Sequence, residues 1–250
     1  MAHSIDVSEE AGIRYLHFGS KWVQGAMRVR RPYALQLQYT QYMIAVLLLR
    51  EPPWPRKVLL IGLGAASLTK FFHRYLPQSR LTVAEIDPRV VAVARMHFKL
   101  PEEDARLRVV IADGAEIVTR DSQHWDAILV DGFDAHARAG MLDKAPFYAA
   151  ARAALNDKGL MVSNLFGHRK GFSEGFGRIR AAFDDRAIAL PQCETGNVIA
   201  IANAGEAIAL RFEELHLRAE ALRRDTGLDL RGLVKRMVLQ AAEGDGLLRL

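Results

Sequence analysis

Cysteine is almost absent from this chain. Cys193 stands alone among 250 residues, which excludes an internal disulfide and a thiolate-held metal cluster and suits a reducing compartment. A lone thiol of this kind is expected to pack rather than to act as a nucleophile. Long hydrophobic runs are missing as well. The apolar stretch over 43–49 stops at Arg50 and is too short to cross a bilayer, and the opening MAHSIDVSEE lacks the basic and apolar regions of a secretory signal. A soluble cytoplasmic protein with no membrane contact is therefore expected. Histidines at ligand spacing are lacking, since only His136 lies near the acidic loop DGFDAHARAG, so no metal site is expected. No Gly-x-Ser-x-Gly elbow and no phosphate-loop lysine motif occur, which leaves hydrolase and nucleotide-triphosphatase readings without support. Formal net charge is +5, but the basic residues are scattered. Arg28, Arg30 and Arg31 have no aromatic stacking surface beside them, so a nucleic-acid partner is not expected.

What is present is a core. Half of the residues are hydrophobic (50%), enough for one substantial core with a small appendage. The alternating patterns IRYLHF and WVQGAMRV, separated by Gly19-Ser20-Lys21, predict an antiparallel β-hairpin. From 35 to 49 the apolar spacing becomes helical, and Pro52-Pro53-Trp54-Pro55 ends that helix. Strands are then expected over 57–62, 80–86, 107–112, 126–131, 159–165, 186–190 and 197–202, with helices near 66–76, 88–98, 114–119, 143–156 and 172–183. This alternation implies a parallel sheet covered by helices. RAIALPQC and GNVIAIAN are separated only by Glu194-Thr195-Gly196, so the last strand enters reversed. The expected fold is α/β: a class I S-adenosylmethionine methyltransferase-like Rossmann fold, with a seven-stranded sheet whose last strand is reversed. Three parts follow: hairpin and linking helix over 1–50, a nucleoside-binding domain over 51–204, and a helical tail over 205–250. The tail could cap the core or mediate dimerisation, and a homodimer is expected.

The run VLLIGLGAASLTKFFHRYLPQSRLTVAEID carries the main chemical signal. Its short apolar strand meets Gly62 and Gly64, which let the backbone turn tightly and approach a ligand, while Ala65, Ala66 and Ser67 are small enough to open a helix. Glu85, about twenty residues on, closes the next strand, where a carboxylate can accept both ribose hydroxyls. A glycine turn can also join any strand to any helix, but the downstream acids favour an adenine nucleoside site.

In open α/β sheets, ligands lie beyond the carboxyl ends of the strands. Suitable groups there are Glu85 with Asp87, Asp113 with Gly114, and Asp131 with Asp134. Asp113 can accept the adenine amino group while Gly114 leaves room for the ring, or Asp113 can cap the following helix. Asp131 and Asp134 can hold an ammonium and remove its proton; such a pair can also be a metal site or a cap, and the lack of histidines at ligand spacing argues against metal.

Several further motifs accompany these acids: MIAVLLLREPPWPRKVLLIGLG, AEIDPRVVAVAR, ADGAEIV, LVDGFDA and KAPFYAAARAALNDKGLMVSN. In this order they resemble the spermidine synthase family, the aminopropyltransferases that use decarboxylated S-adenosylmethionine, over about residues 13–202. The resemblance implies that Glu85 binds the ribose and Asp113 the adenine, that Asp131 is the base and that Asp134 helps hold the amine. Gln41 would lie at the pocket entrance. It also implies a small amine substrate, a nucleoside co-substrate and no tightly bound cofactor. Ala65 stands where the family has the aspartate that grips the aminopropyl ammonium. Thr40, Phe133 and Ala135 replace a tyrosine, a serine and a proline. Losing a charge partner from a buried cation costs a few kcal/mol. A methyltransferase using ordinary S-adenosylmethionine, or a nucleoside-binding protein without catalysis, are the competing readings.

Overall fold

The computed structural model describes residues 4–19, 22–120, 124–132, 140–166, 172–240 and 246–250. At the N-terminus β1 (Ile5–Glu10), β2 (Ile13–Phe18) and β3 (Val23–Arg28) form a three-stranded antiparallel sheet. The expected hairpin is β2 with β3. The additional strand, β1, turns into β2 through Ala11 and Gly12, both at positive φ (51° and 73°). Such a turn is ordinarily signalled by Asn-Gly or Asp-Gly, and IDVSEE carries few apolar residues. Next comes α1 (Gln38–Met43), which tightens into a 3-10 turn over Ile44–Leu48 in place of one continuous helix.

The core follows in alternation: β4 (Lys57–Ile61), α2 (Ser67–Tyr75), β5 (Arg80–Glu85), α3 (Pro88–His97), β6 (Leu107–Ile111), α4 (Gly114–Arg120) and β7 (Trp125–Val130). After a 3-10 turn at Gly140–Asp143 come α5 (Ala145–Ala153), β8 (Leu155–Phe166), α6 (Phe172–Ala182), β9 (Ala187–Ala189) and β10 (Asn197–Asn203). The C-terminal part is β11 (Ala209–Arg211), α7 (Phe212–Thr226), α8 (Arg231–Gln240) and β12 (Leu247–Arg249). The two short strands pair with each other. At three residues each they are too brief to leave a period-2 pattern.

The central sheet has seven strands in the order β6-β5-β4-β7-β8-β10-β9. Only β10 runs against the others, pairing antiparallel with both β8 and β9. The reversed last strand expected from the RAIALPQC and GNVIAIAN hairpin is thus present.

Both faces of the sheet are buried, which explains why its strands read as unbroken apolar runs. Val58, Leu60, Ala127, Leu129, Ile199 and Ile201 enter one cluster, packed against α2, α3 and the C-terminal helices α7 and α8. Leu59, Ile61, Ile128, Val130, Ala200 and Ala202 enter the other, against α5 and α6. The alternation is the period-2 geometry of a strand. Leu215, Ala219, Val234 and Met237 of the tail share the first cluster, so the tail caps the core. No helix among the described residues is long and apolar enough to cross a membrane. At the amino ends of the strands, Asp126 accepts the backbone N–H groups of Arg56 (2.7 Å) and Lys57 (2.8 Å) and the side-chain amide of Asn156. One carboxylate thereby ties β4, β7 and β8 together.

Lys70 on α2 is buried, with 1% of its surface exposed, and its ammonium donates to the Phe98 carbonyl at 2.8 Å. Burial brings its pKa down to about 7, because a charge is costly in apolar surroundings. Between that value and the unfolded-state value, the unfolded chain holds a proton that the folded chain has released. Stability therefore rises with pH across this window, and the burden is greatest below about pH 7. Lys70→Met is expected to exceed the parent by about 1–3 kcal/mol at acidic pH, with the gap narrowing as pH rises. Urea denaturation at about pH 6, 8 and 10 measures this; a gap that does not change with pH would rule out the burial account.

Candidate active site

A cavity of about 520 Å³ opens at the carboxyl ends of β4 through β8. Its floor is the turn after β4. Gly62 (φ 92°) and Gly64 (φ 50°) are both left-handed and both line it. Gly62 is dictated by space as well as by φ: a Cβ there would stand 2.3 Å from the Asp131 carbonyl oxygen. A side chain would force apart the ends of β4 and β7.

Glu85, at the end of β5, is buried and lines the cavity. Its carboxylate accepts the backbone N–H groups of Leu63 (2.9 Å) and Asp87 (3.0 Å), which aims it across the glycine turn. Burial raises its pKa, and those backbone donors pull against the rise.

Asp113 lines the cavity after β6, and its Oδ1 accepts the Ala115 N–H at 2.8 Å, capping α4. The capping role proposed for it is therefore real, and the second oxygen is not used in that bond. Gly114 also lines the cavity, yet its missing side chain does not make room for a ring. A Cβ there would meet Ile61 Cγ2 at 2.3 Å, so this glycine serves close packing of α4 on β4. That corrects the reason given for it from the sequence.

Asp131 follows β7, half-buried in the cavity wall. Asn164, near the end of β8, donates to its Oδ1 at 2.9 Å, and the Tyr39 hydroxyl hydrogen-bonds to the same carboxylate. Asn197 in turn donates to Asn164 at 2.9 Å, and Thr195 to Asn197 at 2.7 Å. This chain of amides and hydroxyls fixes the carboxylate's orientation. Burial pushes the Asp131 carboxyl above its ordinary range, while Asn164 and Tyr39 hold it back. Tyr39 is raised well above the usual phenol value, first by burial and then by the Asp131 charge.

Two expected residues lie elsewhere. Gln41 does not line the cavity; its amide donates to the Leu35 carbonyl at 2.9 Å. Tyr39 and Gln41 are two residues apart on a helix, hence on nearly opposite faces, and it is Tyr39 that turns to the cavity. Asp87 caps α3 through the Arg89 N–H (2.9 Å) and pairs with the Arg89 guanidinium at 2.5 Å. Asp134, with Phe133, Ala135 and His136, falls outside the described residues. Ala65 does not line the cavity either. It is buried with Leu16, Met27 and Phe98, and a Cβ on Gly25 of β3 would lie 2.5 Å from its methyl.

Tyr39, Asn164, Asn197 and Thr195 were not anticipated. Asn164 and Asn197 do leave a trace, as polar residues inside the apolar strands LMVSNLF and NVIAIAN. Most of the remaining wall is apolar, with Phe18 and Val23 from the N-terminal sheet, Trp22 just before β3, and Met141 and Leu142 from the 3-10 turn, while Gln24 of β3 adds a polar group. That turn is anchored by Asp143, which accepts from Tyr148 (3.0 Å) and Arg178 (2.7 Å).

Residues 37–167 match the spermine/spermidine synthase domain. The chain is 36% identical over 233 residues to a polyamine aminopropyltransferase of Chromobacterium violaceum, covering 93% of this chain and 88% of that protein. A probable spermidine synthase from Corynebacterium glutamicum superposes with a TM-score of 0.72 over 90% of this chain and 91% of its own. At 16% identity it speaks to the fold alone. Human methyltransferase-like protein 13, crystallised with SAH, superposes with a TM-score of 0.65 at 26% identity, over 77% of this chain and 93% of its own. The methyltransferase-like Rossmann fold is common to this chain and both solved structures.

Tyr39→Phe and Asn164→Ala each remove a donor from the Asp131 carboxylate, so its pKa is expected to move further up in each variant, as followed by carboxyl carbon NMR. An unchanged or lowered value would rule out the orienting role. Gly114→Ala is expected to lose about 1–3 kcal/mol of stability through overpacking against Ile61 Cγ2, and in combination with Ile61→Ala, which removes that methyl, the loss is expected to be smaller than the sum of the two single losses.

Proposed function

The chain belongs to the spermine/spermidine synthase family, and from that premise we propose that it transfers an aminopropyl group from decarboxylated S-adenosylmethionine to a small amine such as putrescine. The observation that carries this reading is the convergence of Glu85, Asp113 and Asp131 on one cavity floored by Gly62 and Gly64. Glu85 takes the ribose hydroxyls and the free oxygen of Asp113 the adenine amino group, while the glycine turn lets the nucleoside lie close to the backbone. Asp131 accepts the proton of the attacking amine, and Asp134 assists in holding that amine.

The amine nitrogen then attacks the carbon beside the sulfonium in line with the departing sulfur. The C–N bond forms as the C–S bond breaks, and the sulfur leaves as a neutral thioether. Proximity and proton removal supply most of the rate enhancement. The nucleoside is a co-substrate, and no tightly bound cofactor takes part. A carboxyl held above its ordinary range by burial is a better proton acceptor than an exposed one. The rate is therefore expected to fall on the acid side through that raised value, as Asp131 takes up its own proton. A homodimer in the cytoplasm belongs to the same proposal, and a monomeric mass by light scattering would remove the first part of it.

One observation favours a second reading. Ala65 is packed away under β3 and presents no carboxylate to an aminopropyl ammonium. Without that partner, ordinary S-adenosylmethionine competes on more equal terms and methyl transfer becomes the alternative. Calorimetry separates the two: clear preference for the decarboxylated nucleoside over S-adenosylmethionine is the expected result, and equal or absent binding would refute aminopropyl transfer. Asp131→Asn is expected to cut turnover by about 10²–10⁴-fold while leaving methylthioadenosine affinity nearly intact. Retained turnover would remove Asp131 from the role of base.

A further inference from the structure

A short 3-10 turn has few hydrogen bonds of its own, and the one over Gly140–Asp143 is fastened by the side chain at its end. Asp143 uses both carboxylate oxygens. Oδ1 accepts from the Tyr148 hydroxyl of α5 at 3.0 Å, and Oδ2 from the Arg178 guanidinium of α6 at 2.7 Å. Tyr148 is fully buried, and burial together with the Asp143 charge holds its phenol protonated, so it remains a donor. Tyr148 ties the turn only to the helix it leads into. Arg178 ties it to a second element, 35 residues further along the chain.

α6 is shaped to receive this carboxylate. Gly175 is buried on that helix, one turn before Arg178, and a Cβ there would stand 3.0 Å from Asp143 Oδ1. A glycine within a helix is ordinarily unfavourable, and here its missing side chain lets the turn come in.

What the turn carries is Leu142. Gly132 follows Asp131, and a Cβ on Gly132 would lie 2.5 Å from Leu142 Cδ1. The leucine therefore rests on the backbone beside Asp131, and both line the nucleoside cavity. The polar neighbours of the Asp131 carboxylate are Asn164 of β8 and Tyr39 of α1. Glu85 of β5 and Asp113 after β6 share the cavity, and among the described residues no lysine or arginine lines it. Asp143 and Arg178 lie outside the cavity lining, with Glu174 of α6 at 3.9 Å from the far side of the guanidinium.

We propose that the Asp143–Arg178 pair is a positioning element of the candidate site: by fixing the 3-10 turn to α6, it seats Leu142 on Gly132 and keeps water from that flank of the Asp131 carboxylate. Its part in group transfer rests on Asp131 being the base, while the cover over Asp131 does not. Loss of Arg178 has two effects of opposite sign. Removing a cation, felt at a distance, raises the Asp131 pKa; releasing Leu142 admits water, which favours the carboxylate and lowers it.

Carboxyl carbon NMR of the intact chain tests this, with Asp131→Asn identifying the signal. The two side chains of the pair are about one-third exposed (33% and 30%), so Arg178→Met is expected to fold. In Arg178→Met and in Leu142→Ala the Asp131 pKa is expected to fall toward the ordinary carboxylate range, by about half a pH unit or more. Arg178→Lys, which keeps a cation beside Asp143, is expected to recover most of that fall. In the Leu142→Ala background Arg178→Met should produce no further fall, because the cover it held is already gone. An Asp131 pKa unchanged or raised in Arg178→Met, unchanged in Leu142→Ala, or lowered equally by Arg178→Met in both backgrounds would each overturn the proposal. Turnover with the decarboxylated nucleoside separates this from the transfer reading. If Asp131 falls by NMR and the acid limb of the rate does not follow it, the cover is upheld and Asp131 is not the base.

Discussion

The close approach of β4 and β7 at their carboxyl ends is the constraint on which the candidate site depends. Gly62 donates its N–H to Ala84 on one side (2.9 Å), and Asp131 donates its own to Ile61 on the other (2.8 Å), so the sheet's hydrogen bonding continues one step past β4 in both directions. That step is available only because position 62 has no side chain to strike the Asp131 carbonyl. Glu85 and Asp131 are thereby held on either flank of the glycine turn, and Gly114 brings α4 and its capping Asp113 against Ile61 by the same means. Recognition residues are thus placed by backbone crowding, and their side chains need few rotamers to reach the cavity.

Much of this was legible because it is written in local patterns. The β4 apolar run, the glycines after it and the acids closing successive strands each follow from burial on two faces and from where an open sheet binds its ligands. The reversed β10 was legible from a three-residue link. What escaped depends on direction rather than on type. Gln41 was a plausible entrance residue by motif, but the phase of a six-residue helix turns Tyr39 to the cavity instead. Asp87 was read as a ligand, and its place immediately before Pro88 makes it the cap of α3. Asn164 and Asn197 meet only because β8 and β10 are neighbours running in opposite directions, a pairing that neither strand announces alone. β1 was missed because its turn uses Ala11 in a conformation that alanine seldom adopts.

The departure at Ala65 gains a structural meaning from its surroundings. Gly25 and Ala65 are both small because β3 lies directly on the glycine turn, and Leu16, Met27 and Phe98 close the contact. An aspartate at 65 would need β3 to withdraw and a carboxylate to leave that apolar cluster. Lys70, beneath the same region, donates to the carbonyl of Phe98. The small residue in the turn and the close approach of β3 are therefore one joint feature of the packing.

The reversed strand has a consequence for how the chain is made. β9 lies at the sheet's outer edge, and the place between it and β8 belongs to β10, which leaves the ribosome after both. Until residue 203 has emerged, β8 therefore carries an open edge seven residues long, Leu160–Phe166, rich in apolar side chains and ready to pair with any other extended chain. A nascent chain stalled or truncated just short of β10 holds the acids that converge on the cavity but not the strand that shields their sheet. Its fate is decided by chaperones and neighbours rather than by its own sequence.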